Sequence, residues 1–329
     1  MSVPRLSICI PTYNRAPFLH ECLESVLYSA AEHLDQVEIF VSDNASTDDT
    51  PTLIASLQQQ WPQICYYCHT TNIGPESNFY AAAEHVHGEY LWLLGDDDKL
   101  LLHAVPTVLH HLEQGYDFII SNFSVWDQNF ATVKLKRMMP VQADTVFDDP
   151  DRLLASFGAQ LGYISAVVLK RPLFLSTPRA AYDAFARYGL AFMYVVYSSV
   201  FPHCYGIYLS DPLLCNRDNP RRLDANTWDR FFITGTQAVL ERLLQLGYSA
   251  AAVHAARDRL LRDFVLRTIL GRVRDGQSPW PLLRLMYPDF KQYSFFWTAC
   301  IPAALAPAPV LRLVTRMVRT RRAQKGAGL

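Results

Sequence analysis

The chain has 329 residues, half of them apolar, enough for one large hydrophobic core or two modest ones. Its 30 Lys and Arg are balanced by 31 Asp and Glu, which excludes the broad basic field that nucleic-acid binding requires.

Leu6–Ile10 is an apolar run of buried-strand type, followed by the polar turn Pro11-Thr12-Tyr13-Asn14. Leu19, Leu23, Val26, Leu27 and Ala30 then share one helical face. Val37–Val41 is the next strand. Ser46 and Asp49 predict a capping box for a helix carrying Leu53 and Leu57. Ile64–Cys68 is a third strand. Phe79, Ala82, Ala83 and Val86 form a third helical stripe, with Gly88 as its expected stop. Tyr90–Leu94 is a fourth strand and ends at Gly95-Asp96-Asp97-Asp98. Pro106 suits the first turn of the following helix, and Phe118–Ser121 is a fifth strand. Apolar strands alternating with helices predict an α/β fold, with a mostly parallel sheet covered on both faces. Ligands bind such sheets beyond the carboxyl ends of the strands, where each of these polar clusters lies.

From 122 to 220 the pattern is mixed, with strands expected at Ile164–Lys170 and Ile207–Leu209. Residues 226–274 are helical in tendency, and Gly276–Pro279 breaks them. No charge falls between Lys291 and Arg312, but Pro302, Pro307 and Pro309 oppose a continuous spanning helix. An interfacial or re-entrant segment is expected there, with burial in the core as the alternative. Val310, Leu313, Val314, Met317 and Val318 then face away from Arg312, Arg316 and Arg319. No acid follows Asp289, so an amphipathic basic helix on an anionic membrane is expected. The seven cysteines are scattered and odd in number, which predicts reduced thiols in a cytosolic compartment. Pro11 ends the first apolar run too early for a signal peptide.

The acidic block carries the strongest chemical signal. Adjacent carboxylates raise one another's pKa unless a cation is bound, and a hard divalent ion shared with substrate phosphates meets that need. One Asp would be an ordinary helix cap; three after a buried strand point to metal. Asp43, at the end of strand two, can accept from a base N–H or a ribose hydroxyl, or merely form an Asx turn. Tyr13 can stack on a nucleobase. No G-x-G-x-x-G or G-x-x-x-x-G-K-[ST] phosphate cradle is present. Cys65-Tyr66-Tyr67-Cys68-His69 fits the haem-attachment pattern but lies in an internal strand, so that reading is rejected.

Taken in order, Ser7-Ile8-Cys9-Ile10-Pro11-Thr12-Tyr13-Asn14-Arg15, Val41-Ser42-Asp43-Asn44-Ala45-Ser46-Thr47-Asp48, Asn72-Ile73-Gly74 with Asn78, and Gly88-Glu89-Tyr90 leading to Gly95-Asp96-Asp97-Asp98 resemble the family 2 glycosyltransferases. The flavour is that of the abequosyltransferase-like O-antigen branch. The resemblance implies a GT-A fold and an inverting transfer from a nucleotide diphosphate sugar to an acceptor hydroxyl, expected on a lipid-linked saccharide. It implies a donor site of Pro11, Thr12, Tyr13, Arg15, Asp43, Asn72, Gly74, Asn78 and Asp96. Mg2+ or Mn2+ would lie on the diphosphate. Against the family's D-x-D-D, Gly95 takes the first Asp position and Asp96 is extra. Which acid meets the metal stays open, with Asp97 and Asp98 favoured. The family's downstream Glu-Asp pair is missing; in the acceptor-like stretch 158–189 the acidic candidate for the base is Asp183. Arg217 is expected to contact the diphosphate or the acceptor.

These readings divide the chain into a transferase domain, 1–220, and a helical extension, 221–329. Within the first, 1–100 forms the nucleotide-sugar half and 101–220 the acceptor half. They place the protein in the cytoplasm, peripheral on the inner membrane face. A nucleotidyltransferase would need a Gly- and Arg-rich loop after strand one, which Pro11–Arg15 does not supply. A degenerate, non-catalytic assembly subunit is the other alternative, favoured by the missing Glu-Asp pair.

Overall fold

A computed structural model describes residues 3–218 and 225–309, without the side chains of 225–231. Ten strands form one sheet. They are β1 (Leu6–Thr12), β2 (Val37–Asp43), β3 (Ile64–Cys68), β4 (Tyr90–Leu93), β5 (Lys99–Leu100), β6 (Phe118–Trp126), β7 (Val133–Leu135), β8 (Thr145–Phe147), β9 (Val167–Lys170) and β10 (Gly206–Arg217). Their spatial order is β3-β2-β1-β4-β9-β6-β10-β5, with β7 beside β6 and β8 beside β10.

β3, β2, β1 and β4 are mutually parallel. Their crossovers are α1 (Ala16–Ala30), α2 (Thr50–Gln60) and α3 (Pro75–His85), and α4 (Ala104–Leu112) precedes β6. β1 and β4 are buried along their whole length, as a sheet covered on both faces requires. β9 inserts antiparallel between β4 and β6, and β10 then runs parallel to β6. Three apolar residues before Lys170 mark a buried strand at β9 without indicating its direction. The strand expected at Ile164 begins only at Val167, after a 3-10 turn over Ile164–Ala166. β10 runs well past the expected Leu209. Register shifts on either side of Pro212, which has no N–H to donate, let the strand continue to Arg217.

Two local expectations are corrected. Ser46 does not cap α2; its hydroxyl accepts from the Asn14 N–H, while Asp48 accepts from the Thr50 N–H and hydroxyl and from the Ala16 N–H. Gly88 is not a left-handed stop, because α3 ends earlier, at the extended residue Val86. Glycine is required at 88 because a Cβ there would lie 2.7 Å from the Ser7 backbone nitrogen.

One hydrophobic core spans the sheet, its helices and residues Val239–Ala256. A second gathers Ile233 with side chains from Leu260 to Ala303. The uncharged segment beyond Lys291 is partly committed to this second core through Phe296, Cys300 and Ala303. Among the described residues no helix is long and apolar enough to cross a membrane. The basic helix expected over 310–319 lies outside the described residues. All seven cysteines are free thiols.

Candidate functional site

A cleft of about 280 Å3 opens beyond the carboxyl ends of β1 and β4. It is lined by Pro11, Thr12, Tyr13 and Arg15 from the first loop, by Asn44, Asn72, Pro75, Asn78 and Phe79, by Gly95, Asp96 and Asp97, and by Ile164. Parallel β1 and β4 bring segments 84 residues apart to one edge, and the loops are laced together there. The Thr47 N–H donates to Asn14 Oδ1 at 2.7 Å, and the Asn14 N–H donates to Ser46 Oγ at 2.9 Å. Asn14 takes a left-handed φ of 52°, which Asn tolerates.

The three acids divide. Asp96 accepts from Thr12 Oγ1 at 2.8 Å and pairs with Arg15 Nε at 3.3 Å. Asp97 pairs with the same guanidinium at 2.5 Å. These two line the cleft, and Asp98 does not. Asp98 is 1% exposed; Tyr163 and Ser165 donate to its Oδ2 at 2.5 and 2.6 Å, and the Asn216 amide to its Oδ1 at 3.1 Å. Burial and the Asp97 charge push its carboxyl up to about 7, against the pull of those three hydrogen bonds. The expected Asp97–Asp98 pair therefore faces two ways, and the pair turned toward the cleft is Asp96–Asp97. Gly95 belongs to the same packing, because a Cβ there would meet Asp98 Oδ2 at 2.8 Å.

Among the described residues no three His, Cys, Asp or Glu side chains form a ready metal cage. Mg2+ needs only one or two carboxylates beside substrate phosphates, and Asp96 with Asp97 fits that donor set. The Arg15 guanidinium bridges both acids, so their charge is balanced within the cleft.

Arg217 is not a cleft residue. Its side chain is 3% exposed and lies against the rings of Phe18 and Phe130, at 4.9 and 4.3 Å. It donates to the Asp97 carbonyl at 3.1 Å, to the Gln128 carbonyl and to Glu21 at 2.9 Å. Burial alone would raise the Glu21 pKa, but hydrogen bonds from Lys99 and Arg217 outweigh it and hold the carboxyl below its usual range. Arg217 thus clamps the backbone of the acidic block from behind.

Asp43 is fully buried at the edge of the site, accepting from the Ser46 N–H at 2.8 Å and the Tyr66 hydroxyl at 2.6 Å. Asn78 donates to the Ser42 carbonyl and accepts from the Ser42 hydroxyl. Asn72 accepts from Asn44 and from the Gly74 N–H, and Gly74 begins α3 with a φ of 85°. Asp183 is not brought to the cleft. It sits half-exposed on the helix Arg179–Ala186, paired with Arg179 at 2.8 Å. Sequence reasoning missed Tyr163, Ser165 and Asn216 around Asp98, and Glu21, Phe18 and Phe130 around Arg217. Only Ile164-Ser165, within the acceptor-like stretch, gave any signal of them.

Residues 7–166 match the family model for glycosyl transferase family 2. Abequosyltransferase RfbV of Salmonella typhimurium is 31% identical over 229 residues, which are 65% of this chain and 67% of that protein. The GalNAc(5)-diNAcBac-PP-undecaprenol beta-1,3-glucosyltransferase of Campylobacter jejuni is 27% identical over 159 residues, 48% of this chain and half of that one. Among solved structures, the mannosyltransferase PcManGT from Pyrobaculum calidifontis, in complex with GDP-Man and Mn2+, superposes with a TM-score of 0.54 at 15% identity. The match covers 95% of this chain and 88% of that one. S. aureus TarS 1-349 in complex with UDP-GlcNAc gives a TM-score of 0.52 at 15% identity, covering 95% and 92%. At such identities the likeness establishes the fold, which is GT-A.

Proposed function

The chain belongs to glycosyl transferase family 2, and we propose that it is an inverting, metal-dependent enzyme moving a sugar from a nucleotide diphosphate onto a hydroxyl of a lipid-linked saccharide. The observation that carries this reading is the cleft where Thr12, Arg15, Asp96 and Asp97 meet at the carboxyl ends of β1 and β4. The relatives' names, an abequosyltransferase and an undecaprenol-linked glucosyltransferase, support the acceptor class.

In this reading the nucleoside lies along Tyr13, Asn44, Asn72, Asn78 and Phe79, with Asp43 bracing the wall from behind. Asp96 and Asp97 would hold Mg2+ or Mn2+, which would supply positive charge against the departing diphosphate. Arg15 adds a second positive charge beside it, and Thr12 orients Asp96. Arg217 acts as a positioning residue, fixing the Asp97 main chain. The acceptor oxygen forms its bond to the anomeric carbon as the carbon–diphosphate bond breaks, and that electron pair leaves with the nucleoside diphosphate. The hydroxyl proton passes to a base on the opposite side of the sugar ring. The extension beyond 220 holds this chemistry at the cytosolic membrane face, where a lipid-linked acceptor is confined to a surface and its effective concentration rises.

A non-catalytic assembly subunit is the second reading, favoured by the Asp183–Arg179 ion pair outside the cleft. Donor turnover tests both. Metal-dependent hydrolysis or transfer from one nucleotide sugar, with inverted anomeric configuration by NMR, supports the enzyme. Donor binding without turnover on any acceptor supports the subunit, and a product of retained configuration rejects the inverting mechanism.

A further inference from the structure

The helix Trp280–Phe290 buries Leu282, Leu283, Met286 and Phe290 in the second core. A soluble helix normally turns charged side chains to the opposite face. Here that face carries Trp280, Arg284, Tyr287 and Lys291, at the three- and four-residue spacings that place side chains on one stripe. Trp280 is 42% and Tyr287 48% exposed. Trp297, also 48% exposed, meets Tyr287 edge-on at 6.2 Å, and its indole N–H donates to the Lys291 carbonyl at 2.7 Å. Lys291 sits 5.8 Å over the Tyr287 ring. Scattered exposed apolar residues are ordinary; two tryptophans and a tyrosine on one rim, interleaved with cations, are not.

We propose that this aromatic–basic stripe is a surface on which the protein rests on an anionic lipid bilayer. Trp and Tyr prefer the headgroup level, where the ring is apolar and its polar edge stays wet. Charge selects the occupant: Asp289 is the single acid from residue 276 to the end, while Arg284 and Lys291 lie within the stripe. The sequence from Arg312 onward carries six further cations and no acid, so the charge of this end of the chain is basic as well. The inference rests on the proposed action at a membrane and adds to it a surface distinct from the basic terminus.

Flotation of the full chain with vesicles tests it. Vesicles of phosphatidylglycerol with phosphatidylcholine are compared with phosphatidylcholine alone, for wild type and the triple variant Trp280→Ala, Tyr287→Ala, Trp297→Ala. Wild type is expected on the anionic vesicles only, and the variant's affinity is expected to fall about tenfold or more, with melting temperature and donor hydrolysis unchanged. Quenching of wild-type tryptophan fluorescence by brominated lipid is expected to disappear in the variant. Equal binding of both proteins overturns the stripe while leaving membrane action by the terminus standing. Wild type bound to neither vesicle overturns both. A dimer that the variant dissociates assigns the stripe to a second copy and overturns the lipid assignment.

Discussion

Replacing Arg217 by methionine removes a cation buried behind the acidic block. The half-buried Asp97 carbonyl loses its donor, at roughly 1–3 kcal/mol, and the Gln128 carbonyl, on an exposed residue that water can reach, loses under about 1 kcal/mol. Glu21 keeps Lys99 at 2.6 Å and is two-fifths exposed, so its loss is under about 1 kcal/mol. The contacts with Phe18 and Phe130 lose about 1 kcal/mol, after methionine packs on the same rings. A total near 2–6 kcal/mol corresponds to a fall in melting temperature of roughly 3–9 °C for a chain of this length. Because Arg217 holds the Asp97 main chain, Mn2+-dependent nucleotide affinity is expected to weaken as well, about tenfold. Arg217→Lys is expected to recover part of both losses, since it keeps the charge without the planar fork. Thermal and urea unfolding, with nucleotide titration at fixed Mn2+, check this. An Arg217→Met protein within about 1 kcal/mol of wild type and with unchanged Mn2+-dependent affinity refutes the clamp.

Three further outcomes follow from the same geometry. Gly95→Ala puts a methyl 2.8 Å from Oδ2 of the Asp98 carboxylate, which two donors hold at Oδ2 and one at Oδ1; a loss of about 2–3 kcal/mol and weakened nucleotide binding are expected in unfolding and titration experiments. Burial pushes Glu76 up to about 7, against hydrogen bonds from Tyr182 and the Ala191 N–H. The folded carboxyl therefore keeps a proton that the unfolded chain releases. Its contribution to stability is full below about pH 4.5 and is lost as pH rises through 7, an effect of roughly 3 kcal/mol. Glu76→Gln is expected to flatten that part of the stability–pH curve, and an unchanged slope would contradict the assignment. Asp183→Asn is expected to retain near-normal turnover, because the carboxylate is paired with Arg179 outside the cleft; a 100-fold loss in kcat would restore Asp183 as the base.

The first four strands and the cleft at their ends could be read in the sequence because their physics is local. Apolar β1 and β4 end in polar turns, parallel pairing aligns those ends, and the cleft follows. The direction of β9 could not be read, since Val167–Lys170 looks the same whichever way it runs. The reach of β10 was hidden by Pro212, which opposes a central strand until a register shift accommodates it. Arg217 was therefore expected beyond the sheet as a contact to the diphosphate or the acceptor, when it and Asn216 end β10 and lie under the acidic block. The division of Asp96, Asp97 and Asp98 between cleft and interior depends on Tyr163, Ser165 and Asn216, which lie 65 to 118 residues away. No spacing rule within the block encodes such partners.

A thermal-shift panel of CDP, UDP, GDP and dTDP, each with and without Mn2+, on wild type and Asp97→Ala, tests the donor site most directly. One nucleotide is expected to raise the melting temperature of wild type only when Mn2+ is present, and Asp97→Ala is expected to lose that rise while remaining folded. No shift with any nucleotide in folded wild type, or an equal shift in Asp97→Ala, would contradict a metal-bridged diphosphate at Asp96 and Asp97.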